Sequence, residues 1–406
     1  MSGDDISSEI SIIGGIYREL CYWPNRNMLF GSAWRSVRVL RTFAPDAKIR
    51  LVTAGDELTN SLLKAYSMAE ALDYKIEPEK EQIGFHYKHP LAIPEVSGSL
   101  SEKLCLRADG ICVIGFGMME ALTEIRGKYV VYDPQSPAAP RWFREQGGEA
   151  DHLALVMNET EARLLSGEIE LQKAKQVIFE HEMCDFLVVK CGARGAMVFC
   201  GKDDEGTRVP SYKTKHVWPI GSGDVFTTVF SYYWFKGLSV VEAAVKASKS
   251  AAAYCEADGD YENLPRLLST NEFREYTPHK KGKVYLAGPF FTLSEKLFVA
   301  ECRDVLIAMG MDVFSPYHDV GEGKAEDVVP QDVAAIDECD CMFAILDGMD
   351  SGTLFETGYA IKSGKKVVAY GENATEGELK MLVGTGCDVN TDFTTALYKT
   401  CWYAAE

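Results

Sequence analysis

Short apolar runs alternate with amphipathic stretches along the whole 406-residue chain. Runs of that length, bounded by polar turns and separated by helical periodicity, predict parallel sheets covered by helices. In the first two thirds the strand-like runs are 10–13, 49–53, 111–114, 130–132, 153–156 and 186–189. Several of them end close to Gly, Asp or Asn. In open α/β sheets ligands sit just beyond the carboxyl ends of strands, so these ends are the places to read for chemistry.

The pattern breaks at Thr277-Pro-His-Lys-Lys-Gly282, a short polar and basic stretch with a Pro and a Gly. A fresh alternation follows: strand 284–287, helix near 294–309, strand 312–315, helix near 330–338, strand 342–346, helix near 353–363 and strand 366–370. We therefore expect two α/β domains, 1–276 and 283–406, joined by a linker at 277–282. A chain of this length exceeds what one hydrophobic core usually supports, which agrees with the division. No internal repeat or low-complexity segment interrupts it.

Composition narrows the function. Apolar residues at 47% and charged residues at 25% describe an ordinary globular protein, and the longest apolar runs fall short of a bilayer span. The opening MSGDDISSEISIIGG is acidic and polar where a secretory signal needs positive charge and then an apolar stretch, so a cytoplasmic protein is expected. The twelve cysteines are scattered through apolar segments, as at Cys105, Cys112 and Cys191, and read as reduced core residues. Cys339 and Cys341 lack a second pair at zinc-site spacing, and His86 and His89 stand apart. Forty-two basic against sixty acidic residues give a net charge of −18, which repels a phosphate polymer and excludes nucleic acid as the expected partner. A small anion remains possible at a local pocket of backbone N–H groups.

Three strands of the second domain end in loops placed to share one pocket: Gly288-Pro-Phe-Phe291, Ser315-Pro-Tyr-His-Asp319 and Asp347-Gly-Met-Asp-Ser-Gly-Thr353. The third loop feeds a helix whose first turn is expected to hold Glu356, where the helix dipole keeps a carboxylate ionised, as a nucleophile requires. Thr353-Leu-Phe-Glu356 also reads as a capping box, with Glu356 bonding back to the first amide. The segments Val284-Tyr-Leu-Ala-Gly-Pro-Phe-Phe291, Gln331-Asp-Val-Ala-Ala-Ile336 and Asp350-Ser-Gly-Thr-Leu-Phe-Glu-Thr-Gly-Tyr-Ala360 resemble, in order, the nucleoside 2-deoxyribosyltransferase family and its relatives that hydrolyse nucleoside monophosphates. The resemblance covers about 283–375. It implies a smaller doubly wound, Rossmann-like parallel sheet in which Glu356 attacks the anomeric carbon and Asp332 protonates the leaving base. Asp350, Tyr285, Gly288, Phe290 and Ser315 are the implied substrate contacts, with no cofactor. Phe290 and Phe291 equally fit a core role.

In the first domain, Trp218-Pro-Ile-Gly-Ser-Gly-Asp224 precedes a helical stretch. Gly221, Ser222 and Gly223 can turn backbone N–H groups toward an anion, with Asp224 beside them as a candidate base, a layout suited to phosphoryl transfer. This region resembles the ribokinase-like (PfkB-type) sugar and nucleoside kinases over about 8–265, which implies a three-layer α/β domain. By the same resemblance Asn158-Glu-Thr-Glu161 implies that Asn158 and Glu161 place Mg²⁺ through water, and Lys190-Cys-Gly-Ala-Arg-Gly195 implies nucleotide contacts at Gly192, Arg194 and Gly195, with Asp133-Pro134 as a mid-domain strand end. The family pattern is broken elsewhere. Glu19 stands for an Asp, Gly31-Ser-Ala-Trp-Arg-Ser36 loses a Gly and an Asn, and Trp218-Pro219 replaces an Asp-Thr that would help hold a monovalent cation. Too few residues separate Glu19 from Gly31 for the usual lid strands.

Together these readings give a bifunctional nucleoside or nucleotide enzyme. A domain that cleaves or exchanges the base is fused to an ATP- and Mg²⁺-dependent kinase-like domain, with a small-molecule nucleoside or nucleotide as partner and a homo-oligomer expected. The alternative is a glycosidase regulated by a nucleotide-sensing pseudokinase.

Overall fold

The computed structural model describes residues 9–70, 72–98, 104–136, 139–270 and 272–406. The opening octet, on which the export reading partly rests, lies outside the described residues. The chain divides into two compact units, one of residues 1–214 with 218–275, the other of residues 215–217 with 276–406.

The larger unit is built on a sheet with nine strands among the described residues, in the order Thr207–Val209, Ala196–Phe199, Phe186–Lys190, Glu149–Asn158, Ala121–Asp133, Leu104–Phe116, Glu9–Ile13, Lys48–Gly55 and Leu72–Pro78. Its central pairs are parallel and only the Ala196–Phe199 and Thr207–Val209 pairings are antiparallel. Residue parity explains why the strands read as near-continuous apolar runs. Ile10, Ile12, Ile114, Val131, Ala154, Val156 and Val188 enter one core, with helix residues Val37, Val229 and Ala247. Their neighbours Ile13, Val113, Val130, Leu153, Leu155 and Val189 enter a second core on the opposite face, with Ala162 and Ile178. Two buried faces make three layers.

A small four-stranded sheet stands apart, ordered Arg26–Leu29, Arg18–Cys21, Gly84–Tyr87 and Glu95–Ser97. This corrects the expectation that the segment between Glu19 and Gly31 is too short for lid strands. Arg18–Cys21 and Arg26–Leu29 pair antiparallel around a four-residue turn, and Gly84–Tyr87 supplies the third strand from far along the chain.

The smaller unit carries a five-stranded, all-parallel sheet in the order Asp312–Phe314, Lys283–Ala287, Cys341–Ile345, Lys366–Tyr370, Asp388–Asn390. The chain moves first to one side of Lys283–Ala287 and then to the other, so a topological switch point, where a crevice opens in such sheets, lies beside the ends of Lys283–Ala287 and Cys341–Ile345. One helix departs from expectation: it spans Ala325–Glu338, with Pro330 inside it. Pro330 is the sixth residue of that helix, past the first-turn N–H groups that lack an acceptor, so it forfeits the hydrogen bond to the Glu326 carbonyl. Of the twelve cysteines, all free, ten are buried, while Cys105 and Cys200 are exposed. Among the described residues no helix is long and apolar enough to cross a membrane.

Candidate functional site

At the crevice of the smaller unit, Tyr285 lies in the middle of Lys283–Ala287 and is fully buried. Its ring stacks on Phe314 with centroids 5.6 Å apart, and its hydroxyl donates to Glu356 Oε1 at 2.8 Å. Tyr285, expected as a substrate contact, therefore gives its hydroxyl to the Glu356 carboxylate. Burial and then the Glu356 charge push its phenol well above the ordinary range, so it remains a donor.

The helix carrying Glu356 is Ser351–Lys362, and its N-cap is Asp350, whose carboxylate accepts from Thr353 N at 2.8 Å and Thr353 Oγ1 at 3.0 Å. This overturns both local readings of Glu356. With Asp350 as cap, Glu356 falls in the second turn, so it closes no capping box, and it lies past the first turn where the dipole is strongest. Its ionisation is set by burial, which pushes the carboxyl up to about 7. The Tyr285 hydrogen bond pulls it down, while the negative charges of Asp332 and Asp350 push it up. Asp332, on Ala325–Glu338, is also raised by burial, and its Oδ1 is buried with no hydrogen-bond partner. Glu356, Asp332, Asp350 and Tyr285 are thus brought within electrostatic reach of one another.

The remaining predicted contacts lie just past the ends of Lys283–Ala287 and Asp312–Phe314. Gly288 follows the Tyr285 strand, and a Cβ there would come within 2.9 Å of Ile345 Cδ1, so the loop passes too close to the next strand for a side chain. Phe290 is half-buried and stacks on both Phe291 and Tyr317, each with centroids 5.5 Å apart. Phe291 is 72% exposed, so the pair forms an aromatic shelf rather than core. Ser315 is buried, with its Oγ 3.1 Å from His318 Nδ1. Tyr317 was visible in the sequence only as a loop residue.

In the larger unit, a cleft of about 510 Å³ is lined by Glu19, Ser32, Arg35, Asn158, Glu161, Lys190, Gly192 and the 221–224 turn. The Ser222–Phe235 helix has Gly221 as its N-cap, at φ +83° and without a side-chain cap; Ser222 N donates to the Pro219 carbonyl at 2.9 Å, and the next helix N–H groups lack an intrahelical acceptor. Asp224 is not a free base. Arg35 Nη1 donates to Asp224 Oδ2 at 2.5 Å, Gln135 Nε2 donates to Asp224 Oδ1, and Arg35 Nη2 donates to Glu19 Oε2 at 2.6 Å. Arg35 is 1% exposed. The opposing carboxylates outweigh burial and hold its guanidinium charged. Sequence reasoning noted the altered Gly31–Ser36 motif without assigning Arg35 a role; the signal was a cation in a stretch destined for burial.

Asn158 and Glu161, expected at a metal, form a capping box on each other. Asn158 Oδ1 accepts from Glu161 N at 2.8 Å, and Glu161 Oε2 from Asn158 N at 2.7 Å. Burial and then Asp133 push Glu161 up to about 7. Of the expected nucleotide contacts, Gly192 lines the cleft, Arg194 is ion-paired with Glu159, and Gly195 packs against the Val209 carbonyl at φ +85°. Lys190 lines the cleft and is held by Asp133 Oδ2 at 2.5 Å and Thr227 Oγ1 at 3.5 Å. Among the described residues no group of three or more His, Cys, Asp or Glu side chains is arranged to hold a metal ion.

Residues 109–267 match the pfkB family carbohydrate kinase, and residues 284–390 match nucleoside 2-deoxyribosyltransferase. With the nine-stranded, mostly parallel sheet, the first match makes the larger unit a ribokinase-like α/β domain. An uncharacterized protein of Ureaplasma parvum serovar 3 is 33% identical over 102 residues, which cover 22% of this chain and 65% of that protein. The chain therefore spans just under two thirds of that relative. Solved structures similar to this chain include ribokinase from Thermotoga maritima, with TM-score 0.48 and 16% identity over 64% of this chain and 99% of that one. Fructokinase from Vibrio cholerae O395, in a form binding fructose, ADP and calcium ion, gives TM-score 0.49 and 15% identity over 66% and 99%.

Proposed function

We propose that the smaller unit breaks the N-glycosidic bond of a nucleoside or nucleotide, with Glu356 as nucleophile. Both matched families are families of enzymes, and the observation that carries this reading is the half-buried Glu356 carboxyl held by the Tyr285 hydroxyl at 2.8 Å. In this reading one Glu356 oxygen attacks the anomeric carbon as the carbon–nitrogen bond breaks. The departing base takes the proton of the Asp332 carboxyl, whose raised affinity for a proton suits a general acid. The resulting glycosyl ester is resolved when water or a second base attacks the same carbon, giving its proton to the Asp332 carboxylate and restoring Glu356. Tyr285 is a positioning residue: it fixes the nucleophile and favours its ionised form. Phe290 and Tyr317 offer flat rings against which a base can stack.

For the larger unit, the ion triad favours the regulatory reading over phosphorylation of the same metabolite. A general base acts best when its carboxylate can turn toward the substrate hydroxyl, whereas Arg35 and Gln135 each hold one Asp224 oxygen in place. The unit then binds a nucleotide at the Gly192 and 221–223 turns and influences the glycosidase.

The test is incubation of the full chain with a panel of nucleosides and 5′-phosphates, with and without ATP and Mg²⁺, followed by quantification of released bases and phosphorylated products. Base release without phosphorylation is expected. Absence of base release from every member of the panel sinks the primary reading.

A further inference from the structure

We propose that Tyr359 and Asp337 are positioning residues for the glycosidase: their clasp fixes the rotation of the helix that carries Asp332 and so sets the acid against Glu356. The inference rests on the reading of Glu356 as nucleophile and Asp332 as acid, and concerns what holds the two carboxyls in register. They stand on different helices, Asp332 on Ala325–Glu338 and Glu356 on Ser351–Lys362. The acid's Oδ1 is buried with no hydrogen-bond partner, so its place is set by the helix beneath it. That helix is exposed over residues 325–331 apart from the half-buried Val328, and Pro330 lacks the N–H that would bond the Glu326 carbonyl. Burial starts at Asp332 and Val333 and reaches the core at Ala335 and Ile336. Hydrophobic burial is non-directional, so it seats the helix without fixing its rotation closely. A rotation of about 20° carries a carboxyl about 5 Å from the helix axis through about 2 Å.

Directional contacts come from the helix of Glu356. The hydroxyl of Tyr359, one turn past Glu356, donates to Asp337 Oδ2 at 3.0 Å, and Ser363 Oγ reaches Asp337 Oδ1 at 3.4 Å. Lys365 Nζ donates to the carbonyls of Asp337 and Cys339 at 2.6 and 2.8 Å. Those carbonyls close the Asp332 helix, where the last C=O groups have no intrahelical donor. Asp337 lies five residues past Asp332, about 7.5 Å along a helix, so rotation arrested at Asp337 is arrested at the acid. The Tyr359 ring packs against the core of the smaller unit, and Phe in its place keeps that packing while deleting only the hydroxyl.

Tyr359→Phe is compared with the parent in the full chain, the substrate being whichever purine or pyrimidine nucleoside or 5′-phosphate releases its base fastest. Displacing a catalytic group by about 1 Å costs up to about a hundredfold, so kcat should fall about tenfold or more while KM changes by less than about threefold. The loss should be greatest for bases that leave poorly without protonation. Asp337→Asn still offers an oxygen to the Tyr359 hydroxyl and should keep kcat within about threefold of the parent, whereas Asp337→Ala should match Tyr359→Phe. Three groups set the Glu356 titration, the Tyr285 hydroxyl and the Asp332 and Asp350 carboxylates, and of these only Asp332 rides on the clasped helix. Like charges separate once the clasp is released, so the Glu356 midpoint, read by carbon-13 NMR of carboxyl-labelled protein without turnover, should drop by about half a pH unit or more in Tyr359→Phe. A lowered melting temperature with kcat, KM and the midpoint unmoved marks a structural role only and overturns the inference, as does a variant indistinguishable from the parent. If the parent releases no base, the glycosidase reading beneath falls, and the midpoint alone decides the clasp: a drop upholds its hold on Asp332, and no change overturns it.

Discussion

Replacement of Glu356 by Gln should abolish base release while making the protein more stable, because the site holds a carboxyl where its charge is unwelcome. Burial moves this group from an ordinary 4.5 to about 7. At about 1.36 kcal/mol per pH unit, that gap corresponds to about 3 kcal/mol. Below pH 4.5 the carboxyl is neutral in both the folded and the unfolded chain, and nothing is lost. Between 4.5 and 7 the unfolded chain releases a proton that the folded chain keeps, so stability falls as pH rises. Above 7 the cost is fully present. Gln carries no charge and offers an amide oxygen to the Tyr285 hydroxyl at the same place, so it escapes the cost at every pH. Thermal unfolding at pH 8 should therefore show the smaller unit of the Gln variant melting roughly 5–10 °C above the parent, with the difference vanishing near pH 4. Base release at pH 8, followed by chromatography, should fall by about three orders of magnitude or more, since an amide cannot attack the anomeric carbon. A variant that retains base release, or that loses it without gaining stability at pH 8, would refute the argument linking burial to nucleophile.

Three further outcomes follow from the same geometry. The rate of base release by the parent should be bell-shaped in pH, rising through a limb near 7 as Glu356 ionises and falling as Asp332 loses the proton the leaving base needs, and Tyr285→Phe, by deleting a hydrogen bond that lowers Glu356, should move the rising limb upward and cost about tenfold at pH 6 with less loss at pH 8. Asp332→Asn removes a neighbouring negative charge that raises Glu356, so the limb should move downward while overall release falls about 10²–10⁴-fold, least for bases that leave readily without protonation; an unshifted limb argues against contact between the two carboxyls. Arg35→Leu leaves Glu19 and Asp224 facing each other in a buried site and should destabilise the larger unit by about 3–5 kcal/mol in denaturant unfolding, whereas loss of under 1 kcal/mol would show that the ion triad is not formed.

What could be read from the residues alone was what depends on periodicity and on short-range order. Alternating parity at 10–13, 153–157 and 186–190 shows as continuous apolar runs because both faces of the sheet are covered, and that pattern survives without knowledge of which strands pair. The three loops of the smaller domain were placed together because strand ends in such sheets converge. The hairpin at 18–29 was missed because its strands are four residues each and draw a third strand from 84–87, a pairing that no local window contains. Glu356 was misplaced by one turn for a related reason. Thr353 and Asp350 both qualify as caps by residue type, and the choice fell to Asp350, whose carboxylate takes both the amide and the hydroxyl of Thr353.

Arg35 shows where this kind of reading stops. Its sequence position marks only a departure from the Gly-Gly-x-x-x-Asn pattern, and a cation there could equally have pointed into solvent or toward an anionic substrate. What decides its role is that two carboxylates distant from it in different ways converge on it: Glu19, 16 residues away on a short strand of the small sheet, and Asp224, 189 residues away at the start of a helix. Once both are bound, the guanidinium is held between two carboxylates, and Asp224 is fixed in an ion pair rather than turned toward a substrate hydroxyl. Retention of Asp224 in its motif is therefore weak evidence for phosphoryl transfer, because the same carboxylate is needed to keep a buried arginine paired. Replacing Asp224 by Asn should accordingly disturb folding stability in the larger unit, even though the residue looks catalytic by its place in the chain.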